Sequence, residues 1–414
     1  MADDHPSPTY PHDAEQPHHT ALLTEPRDGT PEPITDPAGL AAYVARLLAG
    51  TGPVAVDAER ASGYRYGQRA YLIQIRRAGA GTALVDPIPL AGDFEPLAEA
   101  LTGVEWVLHA ASQDLPCLAE LGLRPSKLFD TELGARLAGF ERVGLAALTE
   151  SLLGYTLEKH HSAADWSSRP LPESWLTYAA LDVELLVELR YALGTELERQ
   201  GKLAWAEEEF AALASAAPPA PRTDPWRRTS GMHKVRGARA LGRVRALWTA
   251  RDTLAAKRDT APGRILPDAA IVAAAQHDPK NEAELFALPA FGGRATRRLA
   301  KLWLDALSDV RALSDKELPT AAVPNDAPPP PHRWADKDPE AADRLARARE
   351  AVSLLAGEYG LPQENLLTPD IVRRLCWSPP EDGDVPGFLR RHGAREWQIE
   401  LTSPALVTAL ITPQ

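Results

Sequence analysis

Cysteine is nearly absent. Cys117 and Cys376 are the two in 414 residues, too few for a disulfide framework and in no pair with metal-ligand spacing, which favours a reducing compartment. No uninterrupted apolar run approaches the roughly 18 residues that a membrane helix requires, and no positively charged start leads into an apolar segment. A cytoplasmic protein that does not enter the membrane is therefore expected. Net positive charge is missing too. A formal net charge of -12 argues against a protein that merely coats nucleic acid, but it averages over an uneven chain. Between Arg222 and Thr320 there are 19 Lys or Arg against 11 Asp or Glu. From Trp226 to Arg258 ten basic residues meet one acidic residue, Asp252. That excess reads as a solvated helical face or as a surface for phosphates.

The length, at about 100–200 residues per domain, gives two or three domains. Residues 1–36 are rich in Pro, His, Asp and Glu without periodicity and read as a disordered tail, its histidines without a metal role. From Pro37 the pattern is mixed α/β. A helix over 37–49 precedes strands at 53–59, 70–77 and 82–86. A helix near 94–102, a strand at 105–109 and helices near 115–121, 131–138 and 145–153 follow. The segment 173–213 reads as one long helix, started by Pro172 and Glu173. A mixed sheet covered by helices is the expected architecture of residues 37–213. The Ala- and Pro-rich stretch 214–225 is a linker. Residues 226–316 have helical periodicity over 236–256, 268–276, 282–288 and 295–313, and form a small all-α domain. A Pro-rich linker over 317–334 leads to a third unit, 335–414, with helices near 339–358, 369–376, 385–391 and 403–411.

The chemistry is carried by carboxylates. Asp57 and Glu59 lie two residues apart in Val-Ala-Val-Asp-Ala-Glu, so a strand points both to one face, as paired oxygen ligands for hard divalent ions require. Asp114 follows a second apolar run ending at His109. Asp182 sits inside the apolar run 176–186, where an acidic group is costly unless it binds something. Tyr178 is four residues before Asp182 and shares its helical face, so its hydroxyl could orient water. Four carboxylates and a tyrosine at element ends suggest a two-metal nuclease. Tyr178 taken alone reads more readily as a packing residue, His109 as a strand terminus and not a ligand, and Asp130 equally as a helix cap.

Three motifs make the resemblance specific. Asp57-Ala-Glu59, His109-Ala-Ala-Ser-Gln-Asp114 and Tyr178-Ala-Ala-Leu-Asp182 resemble those of the ribonuclease D family of 3′–5′ exonucleases, and Lys159 through Leu171 resembles the segment before the third motif. Residues 222–315 are similar to an HRDC domain, and 335–414 to a degenerate second copy. The resemblance implies a ribonuclease H-like mixed-sheet exonuclease domain followed by two small all-α domains. It implies two divalent ions, Mg²⁺ or Mn²⁺, held by Asp57, Glu59, Asp114 and Asp182, with Tyr178 as the fifth catalytic residue and His109 and Gln113 in supporting places. The implied substrate is RNA with a single-stranded 3′ end, in particular tRNA precursors, trimmed to nucleoside 5′-monophosphates. A DNA 3′–5′ exonuclease and a catalytically silent RNA-binding scaffold are the competing readings. Lys159 and Arg169, with Arg239, Arg243 and Arg245 of the basic segment, are the expected nucleic-acid contacts. Arg60 departs from the family, which often has an aromatic or aliphatic residue there that can wedge against the terminal base.

Overall fold

The computed structural model describes residues 20–90, 92–157, 164–217, 222–320 and 327–411. Seven strands form in the described chain: β1 (Ala21–Leu23), β2 (Thr51–Arg60), β3 (Ala70–Ala78), β4 (Gly81–Val85), β5 (Glu105–Leu108), β6 (Lys127–Asp130) and β7 (Tyr155–Leu157). The main sheet runs β4-β3-β2-β5-β6. β2 pairs antiparallel with β3, and β3 with β4, while β5 and β6 run parallel to β2. The expected mixed sheet under helices is what forms.

Alternation along β2 divides the work. Val54, Val56 and Ala58 enter the main core with Ile73 and Ile75, each large aliphatic side chain contributing about 1.5–3 kcal/mol on burial. Ala55, on the opposite face, packs with Val107, Val183 and Leu186. Asp57 and Glu59 therefore lie on the face covered by the helix Glu173–Glu184. The helix Pro37–Ala49 starts at Asp36, whose carboxylate accepts from the N–H groups of Ala38 and Gly39, both at 3.0 Å. Its buried Tyr43 donates its hydroxyl to the Ile75 carbonyl at 3.0 Å, fixing the helix on the core face.

The expectation of a disordered tail through residue 36 needs correction, because residues 20–36 dock on the domain; residues 1–19 lie outside the described chain. β1 pairs parallel with β7, and Ile34 bridges Val85. Arg27 reaches Glu184 and Glu188, each at 2.6 Å. Those partners are remote in sequence, so local composition gave no sign of them. The expected single helix over 173–213 is three: Glu173–Glu184, Leu186–Arg199 and Leu203–Ala214. Leu185 leaves helical geometry, and Gly201 takes a left-handed φ of 69°, which glycine adopts without steric cost. The expected helix from 403 starts earlier, at Glu396, and runs through Pro404.

Residues 226–307 build a separate core around Trp226, Val244, Leu247, Ile271, Phe291 and Trp303. This second domain meets the first at the loop after β2. The Ala261 N–H donates to the Tyr64 carbonyl at 2.9 Å, Arg264 to the Gly63 carbonyl at 2.8 Å, and the Tyr66 hydroxyl to Asp252 at 3.0 Å. The third helical unit shares a continuous core with the first domain. Trp205 stacks on Trp397 at 5.1 Å, and Gly139, at φ 83°, lies so close to the Gly360 carbonyl that a Cβ would come within 2.7 Å of it.

Candidate active site

Three elements converge on one space. β2 supplies Asp57 and Glu59, the turn after β5 supplies Asp114, and the helix Glu173–Glu184 supplies Tyr178 and Asp182. Asp57 and Asp114 share a side-chain hydrogen bond, and Tyr178 hydrogen-bonds Asp182. The four carboxylates perturb one another. Burial, reinforced by the charges of Asp57, Asp182 and Asp114, pushes Glu59 up to about 10. Burial and the charge of Asp57 push Asp114 up to about 8, and the same two causes lift Asp182 well above the usual carboxylate range. Asp57 is raised by burial as well. Like charges held this close in a site poor in water protonate unless a cation joins them.

Among the described residues no three His, Cys, Asp or Glu side chains already stand around one point at metal-holding geometry. One native cation draws on the group: Nη2 of Arg60 lies 3.4 Å from Oδ1 of Asp114. The donor set itself, all carboxylate oxygen, suits hard divalent ions.

The surroundings hold these groups in place. Ala110 is left-handed at φ 57°, a conformation that costs an L-residue about 1–2 kcal/mol. The Asp130 carboxylate stabilises that turn, accepting from the N–H groups of Ala110 at 3.0 Å, Ala111 at 2.9 Å, Glu132 at 2.9 Å and Leu133 at 3.2 Å. It thus caps the next helix and braces the turn that delivers Asp114. Nδ1 of His109 is paired with the Thr131 hydroxyl at 2.9 Å, and burial lowers its pKa to about 4, leaving the ring neutral. Gln113 is exposed on the short turn Ala111–Gln113.

The helix carrying Tyr178 and Asp182 is tied down beside Tyr178 and at its C-terminal end. The Thr30 and Thr177 hydroxyls lie 2.8 Å apart, while buried Glu184 takes Arg27 at 2.6 Å and Arg76 at 3.2 Å. Gln74, overlooked in the sequence, stands directly opposite Asp57 in the β2–β3 ladder. It is fully buried, and neither end of its amide has a partner among the described residues. A lone amide inside the apolar strand Tyr71–Ile75 was the available signal.

The expected nucleic-acid contacts fare differently. Lys159 lies outside the described residues. Arg169 is committed internally: its guanidinium donates to Asp86 at 2.6 and 2.8 Å, to the carbonyls of Trp166 at 2.8 Å and Ser168 at 2.6 Å, and to that of Tyr71 at 2.8 Å. Nothing is left over for a phosphate. Arg243 donates to the Ala275 carbonyl at 2.7 Å and pairs with Asp278 at 3.5 Å. Arg239 pairs with Asp315 at 2.9 Å, and Arg245 donates to the Glu317 carbonyl at 3.0 Å. These three fasten the second domain's own helices and following turn, because a guanidinium's five donors suit backbone carbonyls as well as phosphates. Pairing of that kind leaves no trace in a count of charges.

Comparison with known proteins agrees with this architecture. The family described as 3′-5′ exonuclease matches residues 31–198, the HRDC domain matches 240–307, and the family described as 3′ to 5′ exonuclease C-terminal domain matches 327–410. A ribonuclease D of Acidiphilium cryptum is 34% identical over 323 residues, covering 74% of this chain and 79% of its own. One of Granulibacter bethesdensis is 33% identical over 279 residues, 66% of this chain and 69% of its own. Among solved structures, a protein from Bifidobacterium adolescentis superposes with a TM-score of 0.87 at 40% identity, covering 94% of this chain and 99% of that one. Escherichia coli RNase D, described as an exoribonuclease involved in structured RNA processing, superposes at 0.68 with 25% identity over 92% of this chain and 98% of its own.

Proposed function

Because the chain belongs to the ribonuclease D family and is a 3′–5′ exoribonuclease, we propose that it trims the 3′ ends of structured RNAs, tRNA precursors among them, to nucleoside 5′-monophosphates. The observation that carries this reading is the repelling cluster of Asp57, Glu59, Asp114 and Asp182 with the Tyr178 hydroxyl at its edge. These carboxylates fit two ions, Mg²⁺ or Mn²⁺, on the chemistry of their donor atoms. Bound there, such ions supply charge to the scissile phosphate and make water nucleophilic at neutral pH.

The chain's own groups do the rest. Burial and the nearby carboxylates of Asp182, Glu59 and Asp57 raise the Tyr178 hydroxyl far above its ordinary range. It orients water by a hydrogen bond. Asp130 fixes the turn that carries Asp114. Exposed Arg69 and Arg264 stand where the second domain meets the loop after Glu59, and exposed Lys257 and Arg258 end the helix Ala238–Arg258 of that domain. A single strand entering along that joint would find phosphate partners there, independent of sequence. The two buried free thiols, Cys117 and Cys376, suit a cytoplasmic enzyme.

The test compares RNA and DNA of one sequence, each a hairpin with a single-stranded 3′ tail, in Mg²⁺ and in Mn²⁺. The expected outcome is stepwise release of monophosphates from the RNA tail, stopping near the duplex and abolished by Asp182→Asn. Faster release from DNA would overturn the substrate reading, and no release from either would overturn the activity.

A further inference from the structure

We propose that Arg60 is a resident counter-charge of the carboxylate cluster, displaced when divalent ions bind and then free to bind a phosphate oxygen of the RNA 3′ end. The inference rests on the function proposed above and adds a substrate-binding residue to it. In a regular strand Arg60 would point away from the face that carries Glu59. The β2–β3 register slips just there, Glu59 lying opposite Leu72 but Arg60 opposite Ala70, so the extra residue is Tyr71 of β3 and β2 itself is unbroken. Arg60 is the last residue of β2, and against the alternation of its strand the long side chain brings Nη2 within 3.4 Å of Oδ1 of Asp114, a residue on a different element. The favourable charge of Arg60 is felt at Asp57 and Glu59 as well.

The contact is loose by comparison with the chain's structural arginines. Arg169 spends its guanidinium on five close hydrogen bonds, whereas Arg60 makes this one ion pair and, among the described residues, no hydrogen bond. Its side chain is 26% exposed, so it reaches from the buried cluster to the mouth of the site. A guanidinium and a divalent ion cannot share one carboxylate oxygen, since at about 4 Å their repulsion exceeds thermal energy many times over. Once displaced, the guanidinium swings on a flexible stem beside Glu59. The nearest strong acceptor offered by a bound substrate is phosphate, whose planar pairs of oxygens match its fork of donors. Metal and substrate would thereby be ordered: the ion frees the group that grips the RNA.

The experiment uses the full chain as wild type, Arg60→Ala and Arg60→Lys. Titration calorimetry with Mn²⁺ alone, without RNA, reads the first half. Removing the competing charge should tighten Mn²⁺ binding about tenfold in Arg60→Ala, and Arg60→Lys should lie between the two. Steady-state hydrolysis of a single-stranded RNA at saturating Mn²⁺ reads the second half. KM should rise about tenfold in Arg60→Ala with a much smaller change in kcat, and recover in part in Arg60→Lys. Unchanged or weaker Mn²⁺ binding by a folded, active Arg60→Ala enzyme would overturn the counter-charge, and an unchanged KM would overturn the phosphate contact. Should Arg60→Ala fail to fold, Arg60→Gln, which removes the charge and keeps part of the stem, takes its place in both readings. A wild type that binds Mn²⁺ yet leaves RNA intact would instead count against the function proposed above.

Discussion

Metal removal at rising pH should destabilise the protein, and the carboxylate cluster sets how much. In the unfolded chain these carboxyls titrate near pH 4. In the folded chain Asp114 holds its proton up to about pH 8 and Glu59 up to about pH 10. Between those limits the folded state binds more protons than the unfolded one. The stability is therefore fully present below about pH 4 and is lost as the pH rises through the folded values. Forcing Asp114 alone to ionise, against a lift from 3.8 to about 8, costs roughly 6 kcal/mol. Arg60 at 3.4 Å and rotation of the side chains toward the mouth relieve part of it. A loss of about 2–4 kcal/mol between pH 5 and pH 9 is expected, or roughly 5–15 °C in melting temperature for a domain of this size. Melting curves in chelator across that range measure it. Mg²⁺ should restore the loss and stabilise the protein more at pH 9 than at pH 5, and Glu59→Gln with Asp114→Asn should flatten the metal-free profile. A metal-free melting temperature that stays level or climbs from pH 5 to pH 9 would refute the electrostatic reading of the site.

Two further outcomes follow from the same geometry. Tyr178→Phe should lower kcat on the order of a hundredfold while Mn²⁺ affinity and KM hold; loss of folded protein with normal specific activity in the remainder would mark Tyr178 as a packing residue. Asp252→Ala with Asp259→Ala cuts contacts to Tyr66, Arg65 and Arg69 at the domain joint. Exposed pairs of that kind are worth up to about 1 kcal/mol each, so KM for a long RNA should rise several-fold while hydrolysis of a dinucleotide is untouched, and equal losses on both would locate the damage in the first domain.

What the sequence made legible was what depends on local period and spacing. Asp57 and Glu59 alternate with core residues on one strand, and Tyr178 and Asp182 share a helical face, so their direction follows from geometry that any strand or helix has. The strands β2 to β5 were readable along the chain for the same reason, whereas β1, β6 and β7, of three or four residues each, carry too little alternation. Illegible were features decided by partners distant in the chain. Arg27 and Glu184 are separated by 157 positions, so residues 20–36 looked like tail. Arg169 and Arg243 counted as available charge until Asp86 and Ala275 were found to hold them. Arg60 is the sharpest case, because alternation alone gives the wrong answer for it: the strand's period sends it away from Glu59, yet its long side chain at the end of β2 reaches Asp114 at 3.4 Å. A departure from the family motif thus gains its meaning only from the partners around it. At this position an arginine stands where the family often has an apolar wedge for the base, and its cation is aimed at the carboxylate cluster. Arg60 cannot at once compensate the charge of Asp114 and stack on a base, so on the role proposed for it any ring against the terminal base has to come from another residue.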